Sequence, residues 1–480
     1  MCVETFEKDR DRTLLRNIAY AGSLAALLKI DTAVIEAMLT EKFGKKPKLL
    51  AANHTAFKLG YDYAMAHFQC PLPFHLEPMD RTGDSILIDG NTAAALGAVY
   101  AGATVGAWYP ITPATALMEQ FKGFCEKYRV DKETGLHKYA ILQAEDELAA
   151  AGIIIGAGWA GARAFTNTSG PGISLMQEFI GLAYYTDIPA VFIDVQRCGP
   201  ATGMPTRTQQ ADLLSLAYAS HGDTKHLIVF PADPRECFEM TVQAFDLAER
   251  FQTPVFVASD LDIGMNDWMV RRFEWDDSVP PRPRQGARRG RRSRRSSGSR
   301  AISTSMATAS RRAPSQASAA RAPTSSAALA TTSTASTPRT PTPTRNSSTA
   351  SSGSSRARPS TSPPRSSRTS RAPRSGLVTI GGCEAAVREA ADILRAEGIH
   401  TDYMRIRGFP FSEEVRKFLG RHEHTFVIEQ NRDAQLRSLI QIELGVARDA
   451  MTPILDYSGM PLTAATVVNA VKTHLAEVPA

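Results

Sequence analysis

The chain of 480 residues has only six cysteines, Cys2, Cys70, Cys125, Cys198, Cys237 and Cys383, and no C-x-x-C pair among them. That scarcity excludes a zinc ribbon, a disulfide framework and an iron–sulfur cluster held by cysteines of this chain alone. No run of about 18 apolar residues is present, so no transmembrane helix is expected. The opening residues Met1–Arg10 carry too many charges for a signal peptide, and a cytoplasmic protein is expected. Hydrophobic residues at 43% and charged residues at 22% nevertheless match an ordinary folded protein with ample core.

Residues 278–375 lack Asp, Glu, Lys, His and all aromatics, yet hold twenty arginines. Setting those aside turns the formal net charge of +6 into −14, so the basic balance belongs to one segment and the rest is acidic. A segment of Arg, Ser, Ala, Thr, Pro and Gly buries too little apolar surface to offset its chain entropy and is expected to be disordered. A basic nucleic-acid-binding arm and a phosphorylatable Ser/Arg linker are two readings of it. The favoured third is translation out of frame, because GC-rich coding DNA read one base late yields this alphabet. A nucleic-acid partner is therefore not expected.

On either side the pattern is regular. Leu14, Leu15, Ile18, Ala19, Leu24, Leu27 and Leu28 recur at helical spacing, Asp31 is suited to cap a helix over 32–43, and a third helix covers 48–67. From residue 83 strands and helices alternate. Strands are expected at 85–88, 104–108, 138–143, 163–167, 190–196, 226–230 and 254–259. Intervening helices of this length imply βαβ units and a parallel sheet covered on both faces. A smaller α/β unit resumes at Leu377.

Several motifs bear on chemistry. Gly156-Ala157-Gly158-Trp159-Ala160-Gly161 matches G-x-G-x-x-G but sits in a helix, so close packing is favoured over a dinucleotide site. Ser169-Gly170-Pro171-Gly172 lies at a strand-to-helix turn and reads as an anion-binding cradle or as an ordinary tight turn. In Tyr109-Pro110-Ile111-Thr112-Pro113 two prolines fix the backbone around Thr112, either to present its hydroxyl or simply to build a rigid turn. Glu145, Asp146 and Glu147 open a helix, where carboxylates complement the dipole; Glu147, at the edge of an apolar face, is also placed to meet a ligand nitrogen. Arg197 and Arg207 lie on a Gly/Pro-rich loop suited to a carboxylate or phosphate, or to solvent. His422-Glu423-His424 reads as a surface turn.

These motifs, from Asp89-Gly90-Asn91 through Tyr109–Pro113, Glu145–Gly152, Thr168–Gly172 and Gln196–Thr206 to Glu429–Arg437, occur in one order. That order resembles the α subunit of 2-oxoacid:ferredoxin oxidoreductases, most like the 2-oxoglutarate (KorA-like) enzymes with a γ domain fused at the amino end. The resemblance covers 1–277 and 376–480. It implies an α/β fold with four parts. Residues 1–80 are the helical tail of a γ-like domain, whose partial presence suggests a misplaced start or a truncation. Residues 81–277 form a parallel-sheet thiamine-pyrimidine-binding domain, 278–375 the disordered segment, and 376–480 a smaller C-terminal α/β domain.

The same resemblance implies CoA-dependent oxidative decarboxylation of 2-oxoglutarate to succinyl-CoA and CO2, with electrons passed to ferredoxin. The alternatives are pyruvate or another 2-oxoacid, or an inactive frameshifted product. A KorB-like β subunit would supply most of the thiamine diphosphate and Mg2+ site and the iron–sulfur cluster. Glu147 matches the glutamate that hydrogen-bonds the cofactor pyrimidine, with Glu145 the alternative, and Gly170 and Gly172 belong to the cofactor turn. Thr112, Arg197 and Thr206 match substrate-binding residues. Cys198 stands where the family pattern suggests a small residue such as glycine.

Overall fold

The computed structural model describes residues 2–79, 81–274, 332–334 and 375–477. The chain divides into two compact units, 1–84 and 85–480. In the first, helices α1 (Cys2–Thr5), α2 (Asp9–Leu28), α3 (Thr32–Phe43) and α4 (Pro47–His67) follow the periodicity of the leucines and alanines. Asp31 caps α3 by accepting from Ala33 N at 2.9 Å. Helices α2 and α4 touch backbone to backbone: a methyl on Gly22 would meet Phe57 O, and one on Gly60 would meet Ala19 O. Only glycine permits that approach.

The second unit is a mixed α/β body. It begins with β1 (Ser85–Ile88), α5 (Gly90–Tyr100), β2 (Val105–Trp108), α6 (Thr115–Tyr128), β3 (Ala140–Gln143), α7 (Glu147–Trp159) and β4 (Ala164–Thr168). It continues with α8 (Gly170–Leu175), α9 (Gln177–Tyr185), β5 (Ala190–Gln196), α10 (Leu213–Ala217), β6 (Leu227–Val229), α11 (Pro234–Phe251), β7 (Pro254–Asp260), α12 (Leu261–Met265) and β8 (Trp268–Arg271). After β9 (Thr332–Thr334) come β10 (Ser375–Thr379), α13 (Glu384–Ala396), β11 (Thr401–Arg405), β12 (Gly408–Phe409) and α14 (Glu413–Gly420). The chain closes with β13 (His424–Glu429), α15 (Gln435–Leu444), β14 (Thr452–Leu455) and α16 (Ala464–Glu477). No described helix is long and apolar enough to cross a membrane.

The larger sheet has the order β12-β6-β7-β5-β4-β2-β3, parallel except where β12 returns antiparallel to β6. The smaller has the order β14-β13-β10-β11-β9, with β9 antiparallel on its edge. Apolar residues alternate along β5: Val191, Ile193 and Val195 join the core packed against α5, α6 and α11, while Phe192 joins the core under α7 to α10. The second core also takes in Val378, Phe409 and Leu436, so the C-terminal part packs directly on the larger sheet.

Several expectations require correction. Ser85–Ile88 pairs antiparallel with Trp268–Arg271 in a separate two-stranded ribbon, not in the parallel sheet. A short polar-edged strand such as β8 carries no strong period. The single helix that the periodicity predicts between the strands at 163–167 and 190–196 is two, α8 and α9, meeting at Met176. His422 is not a surface residue: its side chain is buried, with Nε2 3.0 Å from Asp402 Oδ2 and Nδ1 2.8 Å from Phe418 O. Charged neighbours in sequence disguise a histidine that closes over Gly376. Thr332–Thr334 pairs with β11 although its segment reads as disordered; apart from these three residues and Ser375, the basic segment lies outside the described residues.

Candidate functional site

Strands β5, β4, β2 and β3 are adjacent, and the sheet grows in opposite directions from β2, towards β3 on one side and β4 on the other. Open parallel sheets bind ligands beyond the carboxyl ends of strands at such a reversal. Five of the sequence candidates stand at those ends: Thr112 after β2, Glu147 after β3, Gly170 and Gly172 after β4, and Arg197 after β5.

The backbone after β2 is held by three side chains from elsewhere. Arg197 donates Nη1 to Thr112 O at 2.5 Å, Asn91 donates Nδ2 to Pro113 O at 2.9 Å, and Asn167 donates Nδ2 to Ala114 O at 2.6 Å. Three consecutive carbonyls are thus fixed by buried donors, which ties Asn91 of Asp89-Gly90-Asn91 and Arg197 of Gln196–Thr206 to the turn after Tyr109–Pro113. Thr115 Oγ1 completes the turn by accepting from Ile111 N at 3.0 Å. Thr112 itself is exposed.

Helix α7 starts at Glu147, two residues later than the sequence suggests, because Asp146 is the N-cap and accepts from Ala149 N at 2.6 Å. Glu147 is therefore in the first turn and is 6% exposed, whereas Glu145 is exposed. The Glu147 carboxyl makes no hydrogen bond to the described residues. Gly172 lies against it: an added methyl would fall 2.9 Å from Glu147 Cγ and collide with Thr168 Oγ1. Gly170 is pressed in the same way against the Asp212 carboxyl, with Oδ1 2.4 Å from where a methyl would sit. Here glycine serves close approach.

Arg197 is buried, with Nε unpartnered. Burial disfavours its charge and pulls its pKa down, while the carboxylates of Asp212 and Glu147 work against that loss. Thr206 is exposed and is not brought into this cluster. Its loop is pinned where Cys198 N donates to Arg207 O at 2.9 Å, and the buried Cys198 thiol donates to Thr208 O at 3.5 Å. Burial pushes the Cys198 thiol up, which suits a packing role.

The C-terminal motif Glu429–Arg437 positions the loop that follows. Gln210 N donates to Gln430 O at 2.8 Å, Asn431 Nδ2 to Gln210 O at 3.1 Å, and Gln435 Nε2 to Ala211 O at 2.6 Å. Glu429, fully buried, accepts from Leu436 N and Arg437 N at 2.7 and 3.2 Å and so caps α15. Two further acidic residues, the buried Asp194 on β5 and Asp212 against Gly170, were not singled out from sequence. The available signal was an aspartate inside the otherwise apolar strand Ala190-Val191-Phe192-Ile193-Asp194-Val195.

Of the glycines in the G-x-G-x-x-G run only Gly158 is tightly packed, since a methyl there would strike Pro189 O, whereas methyls on Gly156 and Gly161 would meet nothing within 4 Å. Among the described residues no group of three or more His, Cys, Asp or Glu is arranged to hold a metal ion.

Residues 96–330 match the family described as pyruvate flavodoxin/ferredoxin oxidoreductase, thiamine diphosphate-binding. The chain is 41% identical over 244 residues to 2-oxoacid:ferredoxin oxidoreductase 1, subunit alpha, of Aeropyrum pernix, covering 50% of this chain and 37% of that protein. It is 36% identical over 275 residues to the 2-oxoglutarate oxidoreductase subunit KorA of Mycobacterium tuberculosis, covering 55% and 40%. Its likeness to the 2-oxoglutarate synthase subunit KorA of Methanothermobacter thermautotrophicus is 41% over 203 residues, covering 42% and 51%. The chain thus spans about half or less of the length of these relatives. Among solved structures it resembles a 2-oxoglutarate:ferredoxin oxidoreductase from Magnetococcus marinus with 2-oxoglutarate, coenzyme A and succinyl-CoA bound. That likeness has a TM-score of 0.70 and 25% identity, over 97% of this chain and 78% of the other.

Proposed function

Because this chain is a relative of the 2-oxoacid:ferredoxin oxidoreductase alpha subunits, we propose that it is the pyrimidine-binding half of a thiamine diphosphate enzyme that decarboxylates 2-oxoglutarate oxidatively. Carbon dioxide is released, the acyl group passes to CoA, and two electrons leave for ferredoxin. A KorB-like β subunit completes the site with the diphosphate and Mg2+ ligands and the iron–sulfur cluster, for which this chain has no clustered cysteines. Thiamine diphosphate, when bound, supplies a nucleophilic carbon and an electron sink.

The observation that carries this reading is Glu147. It is buried at a helix start beyond the carboxyl end of a sheet, its carboxyl takes no hydrogen bond from the described residues, and the turn at Gly172 passes directly against its side chain. A buried carboxyl needs a partner. An aminopyrimidine ring nitrogen meets that need, and Glu147 would exchange a proton with it as a general acid–base. Arg197 would bind a substrate carboxylate through the guanidinium edge not used on Thr112 O, with Thr112 at the mouth of the site. A second carboxylate facing a buried arginine favours 2-oxoglutarate over pyruvate.

The test uses the chain co-produced with its β subunit and viologen reduction dependent on 2-oxoglutarate and CoA. Glu147→Ala should lower turnover by about 10²–10⁴-fold, the range of acid–base assistance, while the subunits still co-purify. Near-normal turnover in that variant would exclude the role.

A further inference from the structure

Gln210 lies on the stem of the loop that begins at Arg197, and each of its polar atoms has a partner. Its N donates to Gln430 O at 2.8 Å and its carbonyl accepts from Asn431 Nδ2 at 3.1 Å, both just beyond β13. Its Nε2 donates to Asp260 Oδ2 at 2.8 Å at the end of β7, and its Oε1 accepts from Cys383 Sγ at 3.6 Å in the turn after β10. Facing a carboxyl, the amide must turn its NH2 group to Asp260 and its oxygen to the Cys383 thiol. Asp260 has a fixed direction of its own, because Oδ1 accepts from Ile263 N at 3.0 Å. The residue is buried, and the turn closes over it. A methyl on Gly381 would fall 2.9 Å from Gln210 Nε2, and one on Gly382 would fall 2.7 Å from Asp260 Oδ2.

The same stem is tied on its other side to β5. Asp212 N donates to Gln196 Oε1 at 3.1 Å, Cys198 N to Arg207 O at 2.9 Å, and the Cys198 thiol to Thr208 O at 3.5 Å. Thr208 N donates to Gly459 O at 3.2 Å, in the loop after β14. Between these ties residues 199–204 and Thr206 are exposed, so the loop has a free tip on a held stem. We propose that Gln210 is a positioning residue for the Arg197 loop: its side chain fastens the stem to Asp260 and Cys383 and thereby sets where Arg197 stands. The route is a chain of hydrogen bonds. Arg197 adjoins Cys198, and Cys198 is paired to Arg207 and Thr208, so a shift of the stem passes to the guanidinium and to its hold on Thr112 O. Ordering a loop costs chain entropy, and Gln210 offsets that cost through bonds drawn from β7 and from the C-terminal part. Glu147, on α7, stands outside this chain of bonds. The kinetic arm of the inference rests on the proposed 2-oxoacid reaction; the labelling arm does not.

Gln210→Met keeps the length of the side chain and removes both of its bonds, whereas Gln210→Glu sets an acceptor against Asp260 Oδ2. In the full chain, iodoacetamide should alkylate Cys198 about tenfold faster in either variant, the upper end of one hydrogen bond's net contribution. Cys125, buried in the core packed against α5, α6 and α11, should react as in the parent and so report that the fold is intact. Combining Gln210→Glu with Asp260→Asn exchanges donor and acceptor, and asparagine still caps α12. That double variant should bring Cys198 back towards the parental rate. In the enzyme assembled with its β subunit, each single variant should raise the KM for 2-oxoglutarate about tenfold and leave kcat nearly unchanged, with KM recovered in the double variant. Parental labelling of Cys198 in Gln210→Met, an equal rise at Cys125, or a double variant labelled as fast as Gln210→Glu would each overturn the role. If the parent has no 2-oxoacid activity, the proposed function fails and the labelling series still decides Gln210.

Discussion

Arg197 shows how one side chain serves two structural ends. Its Nη1 fixes the Thr112 carbonyl, so the turn after β2 depends on the loop after β5, while the rest of the guanidinium is buried, with Nε unpartnered. A lysine retains the charge but lacks the planar fork that reaches two directions at once. Arg197→Lys should therefore raise the KM for 2-oxoglutarate about 10–100-fold, equivalent to about 1.4–2.8 kcal/mol, and raise the KM for pyruvate less. Steady-state kinetics on both acids checks this, and equal effects would remove Arg197 from recognition of the distal carboxylate. Sequence singled out Arg197 and Glu147 because charged residues stood beside apolar strands and small-residue helices. It passed over Asp194, which folding buries, and Asp212, which folding presses against Gly170.

At the scale of elements, the site is a row of strand ends. Helix α7 begins where Asp146 caps it, which turns Glu147 inward and leaves Glu145 outside. The βα turn after β4 comes so close to that helix start that Gly172 has no room for a methyl. Gly172→Ala should push the Glu147 carboxyl aside and lower kcat by about tenfold or more, as displacements on the ångström scale do, with circular dichroism unchanged. A variant with parental kcat would show that the turn gives way without moving Glu147. The alternation of helix and strand was legible from periodicity, and most of the expected strands of the larger sheet fall within one or two residues of their observed ends. Strand β8, the break between α8 and α9, and the late elements β14 and α16 were not read, because short or edge elements carry weak periods.

For the 85–480 unit as a whole, a buried ion network ties the two sheets together. Arg405 on β11 forms a two-pronged pair with Glu236 on α11 at 2.6 and 2.7 Å and also meets Glu384 on α13, while Arg407 reaches Glu236 at 2.9 Å. Burial alone would push the Glu236 carboxyl up, and the two arginines hold it below its ordinary value. Its stabilisation is present above the unfolded carboxylate pKa and is lost as pH falls through the lower folded value. Glu236→Ala should cost about 3–5 kcal/mol by removing the carboxylate that Arg405 and Arg407 share, measurable by urea unfolding at pH 7. A loss under 1 kcal/mol would mean that water replaces the carboxylate.

Composition and spacing by themselves determined the α/β alternation, the helical first unit, the apolar faces and the order of the motifs. These depend on local period and on residue type, which a linear chain carries. The tertiary structure decided which motif residues meet. It placed Thr112, Glu147, Gly172 and Arg197 at neighbouring strand ends, left Glu145 and Thr206 outside, and buried Asp194 without a hydrogen-bond partner. Strand order and burial set those distances, and both arise from packing between segments far apart in the chain.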